Sequence, residues 1–147
     1  MKRNQMLKTL GLIAVVAVAV QGADTKAALK EVASMDVKKV CDVKANGPEK
    51  VVAVAEKYNP AAIELQVEFK RLGINNSKYI KAVKEAIAKK QKEVVIHYKA
   101  KGKEKTKKFP LDYAAWRSCT FAVRALQQVN EAEKTWRLAV PGDGYKF

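Results

Sequence analysis

Apolar residues recur at helical spacing from the start of the mature-looking chain: Leu29, Val32, Ala33, Val37, Val40 and Cys41 share one face. This predicts a helix that Thr25 can cap and that stops near Asn46-Gly47. Pro48 then stands where a first helical turn tolerates proline, with Glu49 favourable beside the positive end of the dipole. Val51, Val52, Val54, Ala55 and Tyr58 make a second, short helix, predicted to end at Asn59-Pro60. At Ile63 the period changes. Ile63, Leu65, Val67 and Phe69 alternate with Glu64, Gln66, Glu68 and Lys70, the pattern of a half-buried strand. Gly73 and Asn75-Asn76 break it, and Ser77 is placed to cap a helix whose inner stripe is Tyr79, Ile80, Val83, Ala86 and Ile87.

A second alternating run spans Glu93 to Lys101, with Val94, Ile96, Tyr98 and Ala100 facing one way and Val95, His97, Lys99 and Lys101 the other. Gly102 fits a hairpin turn, and the chain returns through Phe109-Pro110-Leu111. Pro110 donates nothing to a ladder, which predicts a short edge strand. Asp112 then caps the longest helix, whose broad face holds Ala115, Trp116, Cys119, Ala122, Val123, Leu126 and Val129; this predicts a core position for Trp116. Phe121, Ala125 and Ala132 lie on a second side, and Pro141-Gly142 stops the helix after Val140. The predicted fold is α+β in the order α-α-β-α-β-β-α, a small three-stranded mixed or antiparallel sheet packed against helices.

The first residues carry a different pattern. Lys2, Arg3 and Lys8 precede an uncharged apolar run from Leu10 to Val20, and Val20 and Gly22 sit at the small-residue positions of a processing site. Residues 1–22 therefore read as a cleavable export signal, although Ala is preferred where Val20 stands. Eleven apolar residues are too few to cross a bilayer core, which takes about twenty in a helix; the competing reading is an uncleaved anchor. Removing the signal leaves residues 23–147, one domain's length of chain with no further transmembrane run, and lowers the formal net charge from +14 to +11. The protein is expected to be compact, soluble and basic, and periplasmic or secreted.

That compartment gives the two cysteines a meaning. Cys41 and Cys119 are an even count in an oxidising space, which favours one disulfide over two buried thiols. A metal site is not expected, because His97 is the only histidine and no CxxC occurs. Catalysis finds little support. His97 falls on the charged face of its strand, and Glu64 and Glu68, which would share a strand face, read as solvated residues rather than a carboxylate pair. No cofactor is implied.

The charge distribution says more. Twelve lysines lie between Lys78 and Lys108, against Glu85, Glu93 and Glu104. Lys99, Lys101, Lys103, Lys105 and Lys107 share one sequence parity across a strand, its turn and the return, and at least Lys99 and Lys101 are expected beside His97 on the outward face. The bland account is solubility and protection of a strand edge. The functional account is an electrostatic footprint for an anionic partner. No arginine occurs among these bases, so the footprint lacks a planar fork and suits diffuse attraction. Tyr98 points to the opposite strand face, so no stacking platform forms and nucleic acid is not the expected partner. Trp136, between Lys134 and Arg137, reads as partly exposed, and Tyr145 and Phe147 as a surface tail. The sequence thus predicts an exported non-catalytic accessory protein that docks an acidic envelope protein through Lys99, Lys101, Lys103, Lys105 and Lys107. The alternative is a peripheral binder of anionic envelope polymers or lipid headgroups.

Intact-mass measurement of the exported protein should find a chain that begins at or near Ala23. A full-length chain held in the membrane through carbonate washing would overturn the cleavable-signal reading.

Overall fold

The computed structural model describes residues 24–139. The predicted export signal at residues 1–22, the predicted stop at Pro141-Gly142, the Trp136 side chain and the terminal aromatics Tyr145 and Phe147 lie outside the described residues. The structure mixes helix and strand, as the periodicity predicts. Its N-terminal helix, however, is broken into three pieces: α1 (Thr25–Ala33), α2 (Val37–Val40) and α3 (Val43–Asn46). Three aspartates explain the breaks. Asp24 accepts from the Ala27 amide, Asp36 from Lys38 and Lys39, and Asp42 from Lys44 and Ala45, so each restarts a helix with its own cap. The series ends at Gly47, whose φ of 80° suits glycine.

The largest correction concerns residues 59–70. No strand runs from Ile63; the helix α4 (Pro48–Glu64) continues straight through Asn59-Pro60. Pro60 leaves the Glu56 carbonyl without its helical donor. That cost is outweighed because Tyr58 before it and Ala61 and Ala62 after it are buried in the core. The alternation of Ile63 and Leu65 with Glu64 is thus a helix end seen through a strand template, and Ile63 is 49% exposed. The helix closes in a Schellman motif, with the Gln66 amide donating to Ile63 O and the Val67 amide to Ala62 O. Gln66 takes the left-handed position at φ 59°, where glycine is the usual occupant, so no sequence signal marks the stop.

Instead of one three-stranded sheet there are two two-stranded ribbons. The first pairs β1 (Lys70–Arg71) with β2 (Ile74–Asn75) around Leu72-Gly73. Then α5 (Asn76–Ala88) follows, capped by the Asn75 side chain rather than by Ser77. The second ribbon pairs β3 (Glu93–Ala100) with β4 (Lys103–Pro110) around Lys101-Gly102. All four turn residues have positive φ, the signature of two-residue type I′ hairpins. The last helix, α6 (Leu111–Ala139), starts one residue before Asp112, which lies in its first turn.

α6 is the spine. It touches α1, α2, α3, α4, α5 and both strands of the second ribbon. Its contact face is built from small residues, with Ala114, Ala115, Ser118, Cys119 and Ala122 all at zero exposure, which lets neighbouring backbones approach closely. Trp116 is not core: it rotates to the flank and is 44% exposed. At the far end of α6, Gln127 Nε2 donates to the Val32 and Met35 carbonyls and Asn130 Nδ2 to the Leu29 carbonyl, each at 2.8–2.9 Å. These amides fasten the end of α1 to α6, and Val32 O accepts the Met35 amide as well.

The predicted disulfide is present. Cys41, just after α2, is bonded to Cys119 of α6, both are fully buried, and their Cα atoms lie 5.6 Å apart. The bond closes a loop of 78 positions, for which chain entropy gives a stabilisation of about 4 kcal/mol. Reduction should therefore lower the melting temperature, and non-reducing peptide mapping should recover the two cysteine peptides linked. Thiols that react on denaturation without reductant would contradict the bond.

Candidate functional site

The lysine hairpin is the first place to look, and its register fixes which lysines share a face. A two-residue loop pairs Ala100 with Lys103, Tyr98 with Lys105, Ile96 with Lys107 and Val94 with Phe109. Paired residues share a sheet face, so sequence parity inverts across the turn. Lys99 stands beside His97 on the outward face, opposite Glu104 and Thr106, as expected. Lys103, Lys105 and Lys107 do not join it. They occupy the other face, with Tyr98 and Phe109, so the five lysines are divided between two faces. Aromatics and lysines do interleave, contrary to expectation, along Tyr98, Lys105, Lys107 and Phe109.

Both faces are nevertheless open. Val94 and Ile96 at the base of β3 are buried, whereas every residue from Lys101 to Lys108 is exposed. Across Lys99–Lys108 six lysines accompany one acid, Glu104. Lys99 meets that carboxylate at 4.0 Å with both side chains largely in solvent, a pair worth little. Lys101, Lys103, Lys105 and Lys107 have no ion-pair partner among the described residues. Lysines that serve the fold look different: Lys57 holds Glu31 between α4 and α1 at 2.6 Å, and Lys84 holds Glu56 between α5 and α4. His97 adds only a contact from Nδ1 to Thr106 Oγ1 at 3.2 Å on the exposed face.

The inward-turned side of the hairpin continues into an aromatic and cationic surface that sequence reading did not find. Phe109 leads to Tyr113 and Tyr79, Tyr113 to Trp116, and Tyr79 to Phe121, which stacks on Phe69 at 3.6 Å between ring centroids. Arg117 lies in the midst of these rings. Its guanidinium carbon is 4.7 Å from the Phe121 centroid, 5.5 Å from Tyr113, 5.7 Å from Tyr79 and 5.8 Å from Phe69. Its Nη1 donates to Tyr113 Oη, while its Nε is buried without a hydrogen-bond partner. Burial pushes the Tyr79 phenol up, against the opposing pull of Arg117. Cys41 and Cys119 lie in the core, so the bond is structural.

The residues that carry Phe69 and Arg71 to this surface are anchored by Glu68. Its carboxylate accepts from the Ser77 amide at 2.8 Å, from Ser77 Oγ, from Asn59 Nδ2 at 3.1 Å and from Asn75 Nδ2 at 3.2 Å. Partial burial pushes the group up, but these hydrogen bonds outweigh it and hold Glu68 below the usual carboxylate range. Glu64 plays no part, being exposed at the end of α4. Glu64 and Glu68 therefore share no strand face, and Glu68 is a half-buried acceptor rather than the solvated residue expected. A further constraint sits at Gly73, where a Cβ would lie 2.3 Å from the Lys99 carbonyl oxygen, so the turn of the first ribbon packs on the edge of β3 only as glycine.

Comparison with known protein families, curated proteins and solved structures finds no match to this chain.

Glu68 supplies a test of this anchoring. Because its folded pKa is depressed, its contribution is complete above the unfolded carboxylate value of about 4.3 and is lost as pH falls through the lowered folded value. Glu31, lowered by its hydrogen bonds from Lys57 and Tyr58, acts in the same direction. Glu68→Gln should flatten the acid limb of the stability profile, and Glu68→Ala should cost about 1–3 kcal/mol at neutral pH. Denaturant titrations across pH 2–7 check both; an unchanged acid limb in Glu68→Gln would remove the anchoring role.

Proposed function

We propose that this is an exported, non-catalytic binding protein that docks an acidic envelope protein through the β3–β4 hairpin. The observation that carries the reading is the run from Lys99 to Lys108, with its end exposed and its lysines, Lys99 apart, without ion-pair partners among the described residues. Unpaired ammonium groups on both faces of a ribbon raise the local positive potential and steer an acidic partner from a distance. Edge protection alone does not ask for lysines on both faces. The Cys41–Cys119 bond and the leader-like residues 1–22 support export. Among the described residues no helix is long and apolar enough to cross a membrane. Export is also what sets nucleic acid aside, now that aromatics are seen among the lysines.

A second reading, a peripheral binder of anionic envelope polymers or lipid headgroups, draws on Tyr113 and Trp116. They are 37% and 44% exposed, with Arg117 over Tyr113 and Phe109 linking that ring to Lys107, and amphipathic rings suit a wet, partly apolar interface.

The attraction is long-range, and salt screens it over about 8 Å at physiological strength. Association with the acidic partner captured from envelope extract should slow steeply as salt rises. Replacing Lys99, Lys101, Lys103 and Lys105 by Gln should cut the low-salt association rate about tenfold or more, with stability changed by no more than about 0.5 kcal/mol. Wild-type association by this variant across the salt series would leave the lysines to solubility and edge protection. Capture of lipid or glycan in place of a stoichiometric protein would favour the second reading.

A further inference from the structure

Where the first ribbon leans on the second, the fold encloses a cavity of about 220 Å³. Arg71 from β1, Lys107 from β4 and Arg117 from α6 line it, and no acidic residue does. Three cations brought together from three elements repel one another; the rings hold Arg117 in place, but no carboxylate accompanies Arg71 or Lys107 among the described residues. The cations that bridge helices elsewhere each have a carboxylate, as in Lys57–Glu31 and Lys84–Glu56. Here the compensating charge is missing. Two of the three cations are guanidinium groups, whose planar fork fits a carboxylate.

The remaining walls decide what carries the charge. Phe69, Tyr79 and Tyr98 supply ring surface, and Leu72 and Ile74 close the ribbon side. The ring faces add contact for the body of an organic anion that a bare inorganic anion would leave unused. The volume lies below the roughly 300–1,000 Å³ of pockets for drug-sized ligands, so the body is small. Leu72 at the rim adds a second sign. It is 68% exposed in a left-handed turn position at φ 51°, where a leucine has neither burial nor backbone preference to recommend it. Gly73 beside it holds the ribbon against Lys99.

We propose that the cavity formed by Arg71, Lys107 and Arg117 with Phe69, Tyr79 and Tyr98 is a binding site for a small organic carboxylate on an aromatic or short apolar body. The carboxylate lies among the three cations and the body against the rings. The site does not depend on the hairpin docking a protein, because only Tyr98 and Lys107 of its lining come from the hairpin.

Phenylacetate is a suitable probe, with 2-phenylethanol as its neutral counterpart and inorganic phosphate as the bare anion. Titrated into the ¹⁵N-labelled protein, phenylacetate should shift the Arg117 and Arg71 Nε–H resonances and the backbone amides of Tyr98 and Lys107 along one saturable curve. The alcohol and phosphate should each bind at least about tenfold more weakly. Lys107→Gln and Arg71→Gln, both at exposed positions, should weaken phenylacetate by a similar factor while the rest of the spectrum stays folded. Lys101→Gln, outside the cavity, should leave it unchanged. Equal shifts with the alcohol, tighter binding of phosphate, or non-saturating shifts spread over the hairpin lysines would each overturn the proposal.

Discussion

The Cys41–Cys119 bond joins the two parts of this chain least able to hold each other by packing alone. α2 and α3 are single turns of four residues, far short of the length at which a helix persists in water. Their apolar contribution is small, and Val37 is their one buried side chain. What keeps them in register is the covalent tie to the middle of α6, aided by the Asn46 amide that donates to the Lys39 carbonyl. With α6 fixed at one end to the N-terminal segment and at the other to the β3–β4 ribbon, the molecule has a rigid axis. The lysine hairpin and the cationic cavity are both mounted on it.

What the sequence disclosed follows where local and tertiary preferences agree. The α5 stripe, the alternation of β3 and the disulfide were legible because burial, period and compartment pointed the same way. Legibility failed where the backbone did something its residues do not advertise. Gln66 and Lys90 each close a helix in a left-handed position that glycine ordinarily fills, so neither end is visible in composition. Ile63 to Phe69 alternates in hydropathy, yet the run is a helix end followed by a loop, because buried Ala61 and Ala62 carry α4 past its proline. The candidate surfaces suffered from the same cause. Lys99 to Lys107 were visible as a charge run, but their division between two faces depends on loop length. The ring cluster around Arg117 gathers residues 69, 79, 113 and 121, which share no sequence spacing.

The two ribbons show how little backbone is needed to build a surface of mixed character. Each turns through two residues of positive φ, and each places its tip against something other than a core: Leu72 above the cavity, Lys101 in solvent. Glu68 secures the approach to the first by occupying amide and hydroxyl donors at the start of α5. Pairing secures the second, along its whole length and down to Glu93 opposite Pro110. A surface held this way depends on a few polar contacts, and it tolerates exposure because its stability is stored elsewhere.

The clamps on α1 have a temporal consequence. A polypeptide is delivered from its amino end, so Leu29, Val32 and Met35 emerge long before Gln127 and Asn130, the side chains that accept them into the fold, 92 to 101 positions later. Cys41 waits through 78 positions for its own partner. The leading segment is therefore committed last, by the arrival of the trailing helix. Until then those carbonyls lack the side-chain amides that fasten the end of α1 to α6.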